Sequence, residues 1–370
     1  SEENVAVGAG VDDLLYCVSL AYLEQSDKAV YFTPTFGMYR VCCEIMGARG
    51  VEVKLKTDFS LPKQFIEECR GAKLVFLCRP NNPTGNSVPL AQVEEIVRAC
   101  TGLVCIDEAY ADFADDDCTS LLKYQNVVIL RTLSKAFGAA GIRAGFAVAD
   151  RRVIAAINKV RLPWNLSTFS QIAAEELLLN SKLAKRRVGA IKSERQRLLS
   201  ALRSLGTEPA ESQSNFILFK IGDSEALFRK MLSEGVLVRR FSSTLLKERL
   251  RITVGTRQEN DYFLKCLLKS AVDAIFFDID GTLVDVSGSY LEAIRLTAEK
   301  LSGKKVPIAL VRKVKSMADM NNDWDATVEL LRRTGVKSSR KEVVPVFQDI
   351  YLGKNWNGLI RKEKLLLDRR

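Results

Sequence analysis

Histidine is absent from the 370-residue sequence, and its absence rules out several common kinds of active site. Without an imidazole, the chain has no histidine general base, no Ser-His-Asp triad and no histidine-ligated metal. Any catalysis must therefore depend on lysine, tyrosine, aspartate, glutamate or cysteine.

Long apolar runs are absent as well. No segment reaches the roughly 20 apolar residues of a membrane-spanning helix, and the N-terminus carries no signal-peptide pattern. The sequence also contains neither an internal repeat nor a low-complexity linker. These absences predict a globular protein without a membrane partner. Because Ser1 leads directly into a strand-like segment, we expect the natural chain to begin earlier.

Cysteine pairing patterns are missing, although nine cysteines are present. Their number is odd, none belongs to a CxxC pair, and most stand in apolar surroundings. This usage is typical of buried, reduced thiols rather than of a disulfide framework. We therefore predict a cytoplasmic location.

The net charge of +10 is spread over the chain. One basic cluster, at residues 183–203, has the spacing of an amphipathic helix with a solvated face. Because no aromatic side chains alternate with these charges, the cluster does not predict a nucleic-acid partner. A basic protein is suited instead to small substrates that carry phosphate or carboxylate groups.

The length favours two or three domains. Over the first 150 residues, strand-like runs alternate with helical periodicity, which is the pattern of a doubly wound α/β domain with a mostly parallel sheet. The chain then turns helical, and three strand-like runs between residues 214 and 255 suit a smaller α+β domain. We predict domains at residues 1–180, 181–269 and 270–370.

Polar motifs follow several predicted strands of the first domain. Residues 79–85 read RPNNPTG, residues 106–110 read IDEAY, and residues 131–135 read RTLSK. Ligands of open α/β sheets bind beyond the carboxyl ends of the strands, so we expect these motifs to converge. A glycine-rich turn, VGAGVDD at residues 7–13, precedes a helix whose backbone N–H groups can bind an anion.

These residue types match the needs of a pyridoxal phosphate site. A lysine forms the Schiff base, and an aspartate pairs with the pyridinium nitrogen. A phenol and an amide hold the 3-oxygen, hydroxyls and an arginine hold the phosphate, and an aromatic ring stacks on the pyridine. The candidates, in that order of role, are Lys135, Asp107, Tyr110 with Asn82, Thr132 with Ser134 and Arg143, and Phe36.

The segment TLSKAFGAAG resembles the lysine signature of class II, fold type I aminotransferases. Over residues 1–268 the chain resembles the histidinol-phosphate aminotransferase family, whose motifs occur here in the family's order. One motif is weak alone, because DEAY or NNPTG also occurs in ordinary turns, but the ordered set is specific. The motifs are GVDD, PTFGMY, NNPTG, DEAY, RTLSKAFG, PWNLS, SNFILF and LRITVGT.

The resemblance implies a fold and an activity. The fold is that of the type I pyridoxal-phosphate-dependent transferases: a mostly parallel, seven-stranded sheet with helices on both faces, plus a small α+β domain. The activity is the interconversion of L-histidinol phosphate and 2-oxoglutarate with imidazole acetol phosphate and L-glutamate, in histidine biosynthesis. It would follow a ping-pong route through a Lys135 Schiff base, with Asp107 and Tyr110 as further catalytic residues. The resemblance also implies a homodimer and an N-terminal arm that we expect this sequence to lack.

Further site residues are assigned by the resemblance alone. Arg251 would receive the amino donor's carboxylate, Arg239 the substrate phosphate, and Asn165 a further substrate contact. For Asn165 and Arg239 an ordinary structural role stays equally open, and Arg240 competes with its neighbour. The phosphate turn would consist of Gly10, Val11 and Asp12, with valine where the family usually has a small or hydroxyl residue.

A second motif, AIFFDIDGTLVD at residues 274–285, resembles the first motif of haloacid dehalogenase-like hydrolases. The resemblance makes Asp278 the nucleophile and Asp280 the general acid/base, and both would bind Mg²⁺. The sequence after residue 285 reads as a helical cap without the later core strands of that family. We therefore expect a partial hydrolase domain with an incomplete metal site and no phosphatase activity.

Other functions stay open on the sequence alone. An aromatic amino acid transaminase or a phosphothreonine decarboxylase of the same fold would differ around Asn165 and Arg239. A phosphatase that uses the first domain as a scaffold is a second alternative. A non-catalytic fragment is a third, and it would not bind the cofactor.

Overall fold

The computed structural model describes residues 1–271, 284–318 and 320–366. The chain divides into two compact units, Ser1–Asp273 and Ala274–Arg370. Each unit has a hydrophobic core of its own.

A seven-stranded sheet forms the centre of the first unit. The strands are β1 (Val5–Gly8), β2 (Lys28–Thr33), β3 (Arg49–Lys54), β4 (Leu74–Cys78), β5 (Leu103–Asp107), β6 (Val127–Thr132) and β7 (Gly145–Ala149). Their order is β1-β7-β6-β5-β4-β2-β3, in which β1 and β7 are antiparallel to their neighbours and the others are parallel. Every residue of β4 and β5 is buried, as expected for central parallel strands. The mostly parallel seven-stranded sheet is thus confirmed.

Helices accompany this sheet: the first four connect its strands, and the next three follow β7. They are α1 (Val11–Tyr22), α2 (Met38–Ile45), α3 (Lys63–Cys69), α4 (Leu90–Ala99), α5 (Arg151–Val160), α6 (Thr168–Leu179) and α7 (Ser181–Ser204). Helix α1 packs against α2 and α5, whereas α3 packs against α4. Side chains cap two of the helices: Asp150 accepts a hydrogen bond from the N–H of Arg152, and Ser167 accepts one from the N–H of Ser170.

A smaller antiparallel sheet completes the first unit. Its strands are β8 (Glu208–Pro209), β9 (Phe216–Lys220), β10 (Arg239–Arg240) and β11 (Arg249–Thr253), in the order β10-β11-β9-β8, and its helices are α8 (Ser224–Ser233) and α9 (Arg257–Ala271). The sequence predicted a longer strand at residues 235–241. Only two of these residues form one, because β10 is an edge strand with a single partner. The domain boundaries at residues 180 and 269 stay predictions.

The second unit is mainly helical, as the sequence after residue 285 predicted. Its elements are β12 (Val284–Asp285), α10 (Tyr290–Ser302), α11 (Ile308–Lys315), α12 (Asp323–Arg333), α13 (Arg340–Leu352) and β13 (Lys364–Leu365). Strands β12 and β13 pair antiparallel. Nearby, the hydroxyls of Ser289 and Tyr351 each donate to Glu363 at 2.7 Å. Asp278 and Asp280 lie outside the described residues.

The nine cysteines all belong to the described part of the first unit, where they are buried and form no disulfide. Burial raises the pKa of Cys17 and of Cys100 to about 11, so these thiols stay protonated at neutral pH. The expectation of buried, reduced thiols is met. Within the described ranges, no helix is both long and apolar enough to span a bilayer.

Candidate active site

The three polar motifs meet at one edge of the large sheet. The motif RPNNPTG follows β4, IDEAY begins in the last residues of β5, and RTLSK begins in the last residues of β6. In the parallel register, Cys78 pairs with Asp107, and Asp107 pairs with Leu130. The carboxyl ends of these neighbouring strands are therefore adjacent, as the sequence predicted.

Asp107 is buried at the end of β5 and holds two hydrogen bonds. Its Oδ1 accepts from the Ala109 N–H at 3.0 Å, and its Oδ2 accepts from the Tyr39 hydroxyl at 2.9 Å. Burial raises the pKa of Asp107 to about 6, against the lowering effect of these hydrogen bonds and of the Lys135 charge. At neutral pH the side chain is mainly a carboxylate, which suits it to a cationic ring nitrogen.

Lys135 and Tyr110 lie side by side. The Lys135 Nζ is 5.4 Å from the centroid of the Tyr110 ring, and the lysine side chain is exposed. The Tyr110 ring is buried and packs edge-on against Phe216. Burial raises the pKa of Tyr110 to about 12, so its hydroxyl stays protonated at neutral pH. The accessible amine is thus next to a neutral phenol.

The glycine-rich turn leads into α1, and the Arg143 guanidinium lies against it. The N–H groups of the first helical residues have no carbonyl one turn earlier, and Gly10 has φ +87°. A Cβ at Gly10 would lie 2.7 Å from Nη2 of Arg143, whose guanidinium also contacts Asp12 at 3.0 Å. The Val11 side chain is buried in the core, so this turn contributes only its backbone at that position. Valine therefore does not disturb the turn.

The hydroxyl groups of Thr132 and Ser134, at the end of β6, lie near the glycine-rich turn. Thr132 pairs with Gly145 on β7, and Gly145 pairs in turn with Gly8 on β1. The Thr132 Oγ1 lies 2.9 Å from the Ser134 Oγ. A Cβ at Gly145 would lie 2.9 Å from the carbonyl carbon of Gly10, so only glycine allows this approach. The Thr132 hydroxyl, the start of α1 and Arg143 are thus close together.

The small sheet contributes two arginines on one face. Arg239 and Arg251 are directly opposite each other in the β10–β11 pair and therefore share a face. The Arg251 guanidinium lies 4.6 Å from the centroid of the Phe216 ring, and its Nη1 donates to the Asn82 Oδ1. Burial lowers the pKa of Arg251, and the nearby Tyr110 opposes that change.

Arg240 is on the other face of β10. It forms an ion pair with Glu225, and its guanidinium lies 5.5 Å from the centroid of the Phe228 ring. Both partners belong to α8. The register therefore separates the two neighbouring arginines and leaves Arg239 beside Arg251.

Asn165 is held at the phosphate turn rather than beside the arginines. Its Nδ2 donates to the Asp13 Oδ2 at 2.7 Å, and its Oδ1 accepts from Arg161 at 3.0 Å. The same Asp13 oxygen accepts from the Ala9 N–H at 2.8 Å. Sequence reasoning missed Asp13, although an acidic residue in the first turn of a helix is a recognisable capping signal.

Phe36 and Tyr39 stand three residues apart at the start of α2. Phe36 is half-buried, and its ring meets Tyr39 edge-on at 5.9 Å between centroids. Tyr39 is fully buried and was also missed, because the motif PTFGMY directed attention to Phe36. The spacing of three residues was the available signal, since it places two side chains on one side of a helical turn.

These groups fit pyridoxal phosphate. The Arg143 guanidinium lies against Gly10 and the N-terminus of α1, whose first N–H groups no side chain caps, so the groups that bind a phosphate are together there. The buried Asp107 carboxylate and the exposed Lys135 amine supply the remaining donor set. By contrast, the described residues contain no cluster of three or more cysteine, aspartate or glutamate side chains arranged to bind a metal ion.

Comparison with known proteins matches the first unit. The family described as Aminotransferase class I and II matches residues 1–267. The histidinol-phosphate aminotransferase of Ruminiclostridium cellulolyticum is 40% identical over 272 residues, which are 71% of this chain and 76% of that protein. Histidinol-phosphate aminotransferase 1 of Carboxydothermus hydrogenoformans is 41% identical over 271 residues, covering 72% and 77% of the two chains.

A solved structure gives the same picture. The histidinol-phosphate aminotransferase from Sinorhizobium meliloti, in complex with pyridoxal-5'-phosphate, superposes with a TM-score of 0.68 at 26% sequence identity. The superposition covers 73% of this chain and 77% of that one.

Proposed function

Because this chain belongs to the class I and II aminotransferase family, we propose that it transfers an amino group between L-histidinol phosphate and 2-oxoglutarate. The products are imidazole acetol phosphate and L-glutamate, and the pathway is histidine biosynthesis. The enzyme is a pyridoxal-phosphate-dependent transaminase, as relatives that are 40% and 41% identical to it are histidinol-phosphate aminotransferases. The observation that supports this choice of substrates is the facing pair Arg239 and Arg251. One site must bind a phosphate monoester and a dicarboxylate in turn, and two adjacent arginines can bind both anions.

The residues of the candidate active site would take different roles in the reaction. When bound, pyridoxal phosphate supplies the electron sink that acidifies the carbon bearing the substrate amine. The Lys135 Nζ would hold the cofactor between turnovers and would move the proton at that carbon. Asp107 would pair with the ring nitrogen, and Tyr110 with Asn82 would bind the ring oxygen. Phe36 would cover the ring face.

Binding groups would fix the two anionic ends. The turn formed by Gly10, Val11 and Asp12 would bind the cofactor phosphate through backbone N–H groups. Arg251 would bind the carboxylate of glutamate, and Arg239 would bind the phosphate of histidinol phosphate. Asn165 would join the substrate site through the loop it anchors to Asp13. The cofactor phosphate would also contact Thr132, Ser134 and Arg143.

Two neighbouring arginines offer a matched test of this proposal. We expect Arg239→Gln to raise KM for histidinol phosphate about 10- to 100-fold, because a charge-assisted hydrogen bond to phosphate is lost. Arg240→Gln removes the same charge one residue away but on the face of α8. Its KM is expected to stay within about twofold of the wild-type value. Steady-state kinetics on both variants measures the difference.

The same assay separates the alternatives within the fold. Turnover should be far faster with histidinol phosphate than with phenylalanine or phosphothreonine. Preferred turnover of phenylalanine, together with an unchanged KM in Arg239→Gln, would indicate an aromatic amino acid transaminase. Release of carbon dioxide from phosphothreonine would indicate a decarboxylase.

A homodimer is proposed from an exposed apolar surface in the first unit. Trp164 is 92% exposed and Phe169 is 76% exposed. Large apolar side chains exposed in this number favour a protein–protein contact. We assign this surface, here called the α6 surface, to a second copy of the chain. Its residues are Leu162, Trp164, Phe169, Ile172 and Leu179.

A charge placed in the α6 surface should separate the subunits. We expect Phe169→Asp to convert the dimer to a monomer at micromolar concentration, because an unpaired carboxylate would be buried in the contact. Sedimentation equilibrium gives the mass directly. Leu237→Asp is the control, since Leu237 is 77% exposed but lies in the segment before β10. A wild-type monomer, or equal loss of dimer in both variants, would contradict this assignment.

Residues 270–370 are proposed to begin a haloacid dehalogenase-like hydrolase domain. The motif at residues 274–285 supports this, with Asp278 and Asp280 as the residues that would bind Mg²⁺ in a completed domain.

We also propose a cytoplasmic location. Nine buried thiols without disulfides support it, because such thiols persist in reducing compartments.

A further inference from the structure

Tyr39 contacts the carboxylate oxygen of Asp107 that accepts no hydrogen bond from the backbone. Its hydroxyl donates to Oδ2 at 2.9 Å, whereas Ala109 donates to Oδ1. The tyrosine is fully buried and its ring stacks on Phe76 with centroids 5.0 Å apart and planes 7° apart. The phenol therefore has one fixed orientation, and its single donated bond falls on Asp107.

One segment thus carries two neighbouring side chains of the site. Phe36 would cover the cofactor ring, and Tyr39, three residues later, contacts the carboxylate that would pair with the ring nitrogen. The two rings meet edge-on, so the position of one restricts the other. The start of α2 therefore supplies both the residue that would cover the cofactor ring and the residue that contacts Asp107.

The chemistry of the bond gives it a direction. A phenol that donates a hydrogen bond to a carboxylate stabilises the ionised form of that carboxylate. The bond also fixes the direction in which the remaining lone pairs of the carboxylate point. We propose that Tyr39 is a positioning residue, which keeps the Asp107 carboxylate ionised and aimed at the ring nitrogen of the cofactor. This inference rests on the proposed function, since it requires that pyridoxal phosphate binds at this site.

The other groups that face Asp107 do not replace the tyrosine. Burial raises the pKa of Cys78 on β4 and that of Cys105 on β5, so both remain neutral thiols. Asp12 on α1 raises the pKa of Asp107, and Lys135 after β6 lowers it. Tyr110 stays protonated and faces the same carboxylate. Among the side chains of the described residues, only Tyr39 donates a hydrogen bond to Asp107.

The experiment measures the affinity of the cofactor as a function of pH. Apo-protein is titrated with pyridoxal phosphate between pH 5 and pH 9, and visible absorption reports binding. In the wild type, affinity should fall as pH drops through about 6, where Asp107 takes up a proton. Loss of the donated bond in Tyr39→Phe raises the pKa of Asp107, so the fall should begin about one pH unit higher. At pH 6, where the wild-type carboxylate is itself half protonated, the dissociation constant should be about fivefold above the wild-type value.

Tyr31→Phe is the matched control. Tyr31 is also buried and also donates to a carboxylate, but its partner is Glu52 at 3.0 Å. Both variants lose one phenolic oxygen, and the cofactor's own phosphate titrates alike in each. We expect the pH midpoint of Tyr31→Phe to match that of the wild type. An equal shift in the two variants, or none in Tyr39→Phe, would overturn the inference while leaving the proposed function intact.

Two further measurements exclude a purely structural role. In an Asp107→Asn background, Tyr39→Phe should change the dissociation constant by less than about twofold, because the charge it supports is gone. Replacement of Tyr39 with 3-fluorotyrosine preserves the fold and strengthens the donor, so the midpoint should move to lower pH. A full additional loss in the Asn background, or an unmoved midpoint with 3-fluorotyrosine, would overturn the inference. A wild-type protein that binds no cofactor at any pH would overturn the proposed function, and this inference with it.

Discussion

Replacing Lys135 with alanine is expected to lower turnover of histidinol phosphate by at least about ten-thousandfold. No neighbouring group in the described site can take over the role of its amine. Burial raises the pKa of Tyr110 to about 12, so the phenol is no base at neutral pH. Asp107 is buried and already accepts two hydrogen bonds. Single-turnover kinetics, together with the visible absorption of the cofactor before and after addition of histidinol phosphate, measures the effect.

Lys123→Ala is a close control for this prediction. The Lys123 Nζ lies 5.2 Å from the centroid of the Tyr124 ring, much as Lys135 lies near Tyr110, but its ion pair is with Glu94 on α4. The control should keep wild-type turnover and the wild-type spectrum. If Lys135→Ala retained even a hundredth of the activity, another amine would have to be the catalytic group.

Asp107→Asn is expected to reduce turnover by about two to four orders of magnitude. The amide has the size of the carboxylate but cannot carry its charge, so a cationic ring nitrogen would be left buried without a partner. Loss of one member of a buried ion pair costs about 3–5 kcal/mol, which corresponds to this range. The variant should fold, because the amide can still accept the Ala109 hydrogen bond. Steady-state kcat at saturating cofactor is the measurement.

Glu108→Gln tests whether the effect of Asp107→Asn comes from the charge of Asp107 at the active site or would follow from the loss of any buried carboxylate. Glu108 is the next residue and is also buried, but it pairs with Arg131 at 2.7 Å and accepts from the Cys118 N–H. Its replacement should lower the free energy of unfolding by about 1–3 kcal/mol and change kcat by less than about threefold. Comparable losses of kcat in the two variants would argue that Asp107 acts through stability and not through its charge.

Much of the fold followed from local patterns. Alternating strand-like and helical runs indicated a doubly wound sheet, and the polar ends of β4, β5 and β6 indicated its functional edge. Asp107 and Lys135 stand next to strand ends, so a topological rule sufficed to bring them together. Their chemical roles stay predictions, which the variants above test.

Other parts of the site depend on packing and register. The Tyr39–Asp107 bond joins residues 68 positions apart, and no local pattern reports such a contact. The choice between Arg239 and Arg240 depends on a two-residue pairing at a sheet edge, where a shift of one residue would exchange their faces. Asn165 was predicted as a substrate contact from the resemblance alone, and its partners, Asp13 in α1 and Arg161 just after α5, are brought together by packing that the sequence does not encode locally.

The burial of every native thiol makes this chain well suited to site-selective labelling. Maleimide reagents react with thiolates, whereas the nine native cysteines are buried, and burial raises the pKa of Cys17 and of Cys100 to about 11. A cysteine introduced on the surface would then be the fast-reacting one in the folded protein. A fluorophore attached at Leu237→Cys, an exposed position outside the α6 surface, would report subunit exchange without prior removal of any native cysteine.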